Sequence, residues 1–222
     1  MSTPGPDVRP PDPASGLESD AEAWVAHCLG APLHTARVVA DSPRSHVARI
    51  ETPTGTYFFK HDRILAPAEA VVLDRLSSRC PEYLAPVVGV ERERGWSLTR
   101  DVGRTGLEGA PTAVWCRVAE AFGRVQRDEG TTPEAWIQLG CRDRRGMRLH
   151  AAMAAMLAQA EPLLPPDVAR KLHSLRSRTE DACRILAEDP LPPTLVHQDL
   201  VPVNIVLAGA KPVFLDWSDT VV

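Results

Sequence analysis

Aromatic side chains make up only 5% of this 222-residue chain, and no apolar run approaches the roughly 20 residues that a membrane-spanning helix requires. No membrane partner is therefore expected. The formal net charge is only −4 and the isoelectric point about 6.0, so broad attraction to nucleic acid or to an anionic membrane surface is not expected. No recognition helix stands out either, and nucleic acid is set aside as a partner. Cysteines are few and odd in number (Cys28, Cys80, Cys116, Cys141 and Cys183), and none forms a Cys-x-x-Cys pair. They read as reduced, mostly buried thiols of a cytoplasmic protein. The start of the chain lacks the charged-then-apolar pattern of a secretory signal, and the chain carries no internal repeat.

What is present is an ordinary globular composition, 44% hydrophobic, long enough for one large domain or two small ones. Residues 1–17, with five prolines and little that can pack, read as a disordered tail. Ser19 and Glu22 have capping-box spacing ahead of a helix whose apolar residues include Ala21, Trp24, Val25 and Cys28, with Gly30 at its end. Strands are expected over 35–40, 47–51 and 56–60, then over 85–90 and 95–100. Between 60 and 85, a helix carries Glu69, Val72, Leu73 and Leu76. Beyond Gly103 the pattern turns helical. One amphipathic face runs from Val114 to Val125, and Thr132-Pro133 opens a second helix. An Ala- and Met-rich segment over 150–164 reads as core packing. A long helix capped by Asp167 then runs until Pro190. Arg142, Arg144, Arg145 and Arg148 cluster around Gly146 and read as a solvated loop.

The densest chemistry lies between Leu195 and Trp217. Leu195-Val196 delivers His197 and Asp199 into a loop, and Asn204 follows Asp199 by five positions. Ile205–Leu207 and Pro212–Leu215 read as the two arms of a hairpin turning at Gly209, with Asp216 at the exit. Two carboxylates and an amide oxygen would thus meet at one end. Phosphoryl transfer needs such a set: one carboxylate beside the attacking hydroxyl, and hard oxygen ligands to hold Mg²⁺ against a triphosphate.

His-x-Asp-x₄-Asn, a hairpin and Asp-Trp resemble the catalytic core of the aminoglycoside phosphotransferase family, small-molecule kinases related in fold to the protein kinases. In the protein kinases the second aspartate opens Asp-Phe-Gly; here Trp217 follows it, as in the small-molecule branch. The resemblance implies an α+β, protein-kinase-like bilobal fold. An N-lobe over 18–102 would hold an antiparallel sheet with a helix, and a mainly helical C-lobe would run over 103–222. It implies ATP or GTP and Mg²⁺ as cofactors and a small-molecule hydroxyl as acceptor. By the same carry-over Asp199 orients and deprotonates the acceptor, Asn204 and Asp216 hold the metal, and His197 holds the loop. Lys60 neutralises phosphates and pairs with Glu69. Ser42 and Ser45, in the glycine-free bend 41–46 where kinases place a phosphate-covering loop, and the backbone of Arg100, Asp101 and Val102 would touch the nucleotide. Three positions depart from the pattern. Gln198 replaces a usual glycine and Val203 a usual small residue. The chain also runs only six residues past Asp216, so the family's last helices are expected to be missing. An active phosphotransferase and a non-catalytic nucleotide- or partner-binding relative both remain open. In the second case a partner chain or second copy would cover the gap.

Overall fold

The computed structural model describes residues 16–63, 68–103, 106–129 and 133–222. The expected tail, apart from residues 16 and 17, and Thr132 lie outside the described residues. The chain divides into two compact units, Met1–Gly103 and Arg104–Val222.

In the first unit, α1 (Ser19–Leu29) precedes β1 (Thr35–Asp41), β2 (Ser45–Thr52) and β3 (Gly55–Asp62). After α2 (Ala68–Arg79) come β4 (Val87–Glu91) and β5 (Trp96–Arg100). The strands form one antiparallel sheet in the order β1-β2-β3-β5-β4. Ala36, Ile50, Tyr57, Phe59 and Leu98 share one face of it, and Ala21 and Val25 of α1 close over them in a single buried cluster. Trp24 meets Trp96 with ring centroids 5.7 Å apart and Phe59 at 6.1 Å. Gly89 admits this approach, because a Cβ there would lie 2.7 Å from Cys28 Sγ. The expected capping box does not form: Ser19 is the first helical residue, Glu18 holds the cap position, and no side chain caps the end.

The second unit opens with α3 (Thr112–Glu129), α4 (Pro133–Gln138) and α5 (Met147–Ala160). They are followed by α6 (Pro166–Ser174), α7 (Arg176–Glu188), and the hairpin β6 (Ile205–Ala208) and β7 (Lys211–Phe214). As expected from its periodicity, α3 buries Val118, Ala121 and Val125, and Phe122 lies edge-on to Phe214 at 5.4 Å. Two expectations are corrected. The long helix after Asp167 is two helices broken at Leu175, where φ is −85° and ψ −11°. Asp167 sits in the first turn of α6, with Pro165 at the cap. The Ala- and Met-rich helix α5 buries no residue, and Met156 is 60% exposed. Its composition favours helix everywhere, but only neighbours can bury a face, and few reach it.

The arginine cluster is also no loose solvated loop. Arg145 grips Asp143 with two bonds (Nε–Oδ1 2.9 Å, Nη2–Oδ2 2.8 Å) and reaches Glu134 at 2.7 Å. Arg148 pairs with the same aspartate, and Arg142 with Asp219 at 3.2 Å. The paired guanidinium of Arg145 holds the Asp143 carboxyl down at about 2. Beside this network Val221 bridges Arg142 on one side and Val196 on the other, and Thr220, Val221 and Val222 are buried.

Candidate phosphotransfer site

In the first unit Lys60 follows Phe59, so its side chain leaves the sheet on the face opposite the aromatic cluster. There Nζ meets Glu69 Oε2 at 2.7 Å, with side-chain exposures of 15% and 7%. Burial to this depth makes the pair cooperative. Removing either partner strands a charge, at a cost of about 3–5 kcal/mol. Lys60, Lys171 and Lys211 are the chain's only lysines, against 25 Lys plus Arg in all. Ammonium differs from guanidinium in being a compact point charge, suited to a phosphate oxygen.

The bend between β1 and β2 is a closed turn. Ser42 Oγ accepts from the backbone N–H of Arg44 (3.2 Å) and of Ser45 (3.0 Å), and Ser42 N–H donates to Ser45 O at 2.9 Å. At the far end of the sheet, Arg100 N–H donates to Pro86 O (2.8 Å) and Asp101 N–H to Thr56 O (2.9 Å). Asp101 Oδ1 accepts from Gly103 N–H at 2.8 Å, so its side chain shapes its own loop. The Arg100 guanidinium donates to Thr54 O at 3.0 Å. Of the three residues expected to read a nucleotide base, two thus spend their N–H groups on the sheet.

In the second unit, the loop ahead of β6 is a series of tight turns. Asp199 N–H donates to His197 O (2.8 Å), Val201 N–H to Asp199 O (2.9 Å) and Asn204 N–H to Val201 O (3.0 Å). Asn204 Nδ2 donates to both the backbone oxygen and Oδ2 of Asp199, each at 3.0 Å. The amide nitrogen is therefore spent on the aspartate, and Oδ1 is the atom left to face a cation. Leu215 N–H donates to Asn204 O at 2.8 Å, which places Leu215 opposite Asn204 at the open end of the hairpin, with Asp216 one residue further on. Asp216 is exposed and has φ +60°, while Trp217 beside it is fully buried and donates from Nε1 to Phe214 O at 3.1 Å. One residue is anchored so that its neighbour can project.

His197 is 1% exposed, its Nε2 lies 2.9 Å from Leu215 O, and its ring sits 4.6 Å from that of Trp217. It ties the loop to the end of β7. Gln198 takes φ +60°, the left-handed backbone that explains why glycine suits this position. Val203 is 64% exposed.

Donor chemistry bears on the expected metal. Among the described residues no group of three or more His, Cys, Asp or Glu is arranged to hold an ion, so no closed all-protein cage exists there. Asn204 Oδ1 and the Asp216 carboxylate fit a hard ion such as Mg²⁺. That ion keeps several waters and is bound through one or two carboxylates plus substrate phosphates.

Sequence reasoning passed over Arg63, which reaches the β1–β2 turn. Its position three residues past Lys60 is visible in the sequence, but its target emerges only once the β2–β3 register places Ser45 opposite Asp62.

A sheet-and-helix unit bearing a buried Lys–Glu pair and a hairpin unit bearing an Asp–Asn–Asp set together define a protein-kinase-like fold of the small-molecule branch. Solved structures with that fold are similar to the chain. One is a thermostable mutant of aminoglycoside phosphotransferase APH(4)-Ia in its apo form, 16% identical, covering 90% of this chain and 71% of its own, with a TM-score of 0.62. Choline kinase LicA from Streptococcus pneumoniae is 14% identical over 91% of this chain and 70% of its own, with a TM-score of 0.59. Spectinomycin phosphotransferase APH(9)-Ia, in complex with ADP and spectinomycin, is 13% identical over 90% and 69%, with a TM-score of 0.56. No curated protein matches by sequence. The family model for the phosphotransferase enzyme family, APH, matches residues 35–222. The chain belongs to that family.

Proposed function

We propose that this chain transfers the γ-phosphoryl group of ATP or GTP to a hydroxyl of a small molecule. The buried 2.7 Å pair between Lys60 and Glu69 carries the reading: burying one of only three lysines needs a reason beyond stability, since such pairs gain little over apolar packing. In this reading Glu69 fixes the Lys60 ammonium, which neutralises phosphate oxygens. Asp199, steadied by Asn204, orients the acceptor hydroxyl and takes its proton. Asn204 Oδ1 and Asp216 would hold Mg²⁺, whose contribution when bound is to offset the charge of the phosphates. His197 keeps the loop in register. Little covalent work falls to protein groups in phosphoryl transfer, so positioning and charge neutralisation supply most of the rate. The Asp101 loop shapes the nucleotide end, with Val102 as the residue most suited to a base edge.

Structures similar to this one were solved with ADP and hygromycin B and with ADP and spectinomycin. They support a nucleotide and a hydroxyl-bearing acceptor here as well. All five cysteines are free thiols, in keeping with a cytoplasmic setting. The test is melting of the 222-residue chain with and without Mg-ATP, beside Asp216→Ala. Nucleotide at ~100 times its dissociation constant stabilises by roughly 2.7 kcal/mol. A magnesium-dependent shift that the variant loses is expected; no shift in the wild type would sink the proposal.

A further inference from the structure

A glycine-rich phosphate loop works by offering backbone N–H groups to a ligand and by bending to meet it. The β1–β2 turn of this chain does neither. Pro43 has no N–H, and those of Ser42, Arg44 and Ser45 are spent within the turn. The turn is also held from outside. Arg63 Nη1 donates to Ser42 O at 2.6 Å and contacts Asp41 Oδ1 at 2.8 Å, and Arg63 N–H donates to Arg44 O at 2.8 Å. One residue thus grips the turn at Asp41, Ser42 and Arg44. It does so from a position three residues past Lys60, about 10 Å along the strand, and Lys60 itself lies opposite Val47 of β2.

We propose that Arg63 is a positioning residue for the nucleotide, and this rests on the phosphotransferase reading above. It locks the β1–β2 turn into a single shape before ligand arrives. The turn then serves as a pre-set cover beside Lys60 rather than a loop that wraps phosphate with its amides. Ordering the backbone of a flexible loop costs free energy at the moment of binding, whereas a turn ordered during folding has already met that cost. The exposed Arg63–Asp41 ion pair contributes little by itself. Two bonds to backbone oxygens fix the turn, and the one that depends on the side chain runs from the guanidinium to Ser42 O.

The experiment compares wild type, Arg63→Ala and Arg63→Lys by calorimetric titration with Mg-ATP and by hydrogen exchange of the Arg44 and Ser45 amides. Arg63→Ala is expected to speed exchange at those two amides without changing that of β5, and to weaken Mg-ATP binding about ten-fold. Arg63→Lys keeps a side-chain cation that can still donate to Ser42 O, so it is expected to recover most of the affinity. Should Arg63→Ala fail to fold, Arg63→Lys alone decides, with an expected weakening of about two- to five-fold. Faster exchange with unchanged affinity overturns the proposal, as does unchanged exchange. A wild type that binds no Mg-ATP overturns the phosphotransferase reading itself. Unchanged affinity in the variants overturns only the role of Arg63.

Discussion

Within the second unit, the 195–222 segment and the α5–α7 helices differ sharply in how they are held. Leu195, His197, Ile205, Phe214, Trp217 and Thr220 are each at most 1% exposed. Across α5, α6 and α7 only Cys183 is buried, while Ile185 stands 68% and Met156 60% exposed. Both regions are regular, but only the first is gripped from several sides. Gln126 of α3 donates to Leu195 O at 3.0 Å, Val221 pairs with Val196, and Phe122 packs on Phe214 and Trp217. Asp199, Asn204 and Asp216 thus sit on the more tightly packed part of the unit. Precision of placement is what phosphoryl transfer demands.

That contrast can be broken most directly at Asp199. Its replacement by alanine is expected to lower turnover about a thousand-fold, within the range for loss of a positioned acid–base group. Calorimetry should find Mg-ATP binding largely intact. Lost binding with retained turnover would reverse the assignment. A test of scaffold rather than chemistry is Trp217→Ala, expected to destabilise by about 3–5 kcal/mol in urea unfolding. Ile185→Ala on exposed α7 should stay within about 0.5 kcal/mol. Equal effects at the two sites would erase the difference between the regions.

Asp143 offers a finer probe. Asp143→Asn weakens the charged grip of Arg145 and is expected to cost about 1–3 kcal/mol near neutral pH. The hydrogen-bonded guanidinium of Arg145 lowers the folded Asp143 carboxyl from its ordinary 3.8 to about 2. Its stabilisation is therefore complete above the ordinary value and lost as pH falls toward about 2. The gap between wild type and variant should close over that window, and a gap independent of pH there would assign the effect to packing. A small effect of the opposite sign is expected at Gln198, where a φ of +60° strains any residue with a Cβ. Gln198→Gly should stabilise by about 0.5–1 kcal/mol, read from the urea midpoint; a loss of stability would mean the glutamine side chain contributes more than the strain costs.

Much of the hairpin was legible from the chain alone, because its signals are local. Gly209 at φ +66° makes the turn, short continuous apolar runs make the arms, and Asp199, Asn204 and Asp216 flank them in the loop and at the exit. Helix α3 was legible for the same reason: one face of it meets a large apolar partner. The burial of α5 was not. Periodicity states which residues share a face, never whether anything covers that face. The break at Leu175 was equally hidden, since leucine is a good helix former and nothing in the flanking residues forbids continuation. Nor could the arginine cluster be read correctly, because one of its partners, Asp219, lies 77 residues from Arg142.

The sequence by itself determined which residue types could do chemistry and the local shapes that carry them: strands, the β6–β7 turn, the Asp199 loop. Propensity, turn preference and spacing act over a few residues, and they suffice for that. Tertiary structure decided which distant groups meet. Glu69 reaches Lys60, Arg63 reaches Ser42, and Val221 lies between Arg142 and Val196. Each of these contacts depends on strand register or on helix placement, and a slip of one residue in a strand would turn Lys60 to the opposite face of the sheet.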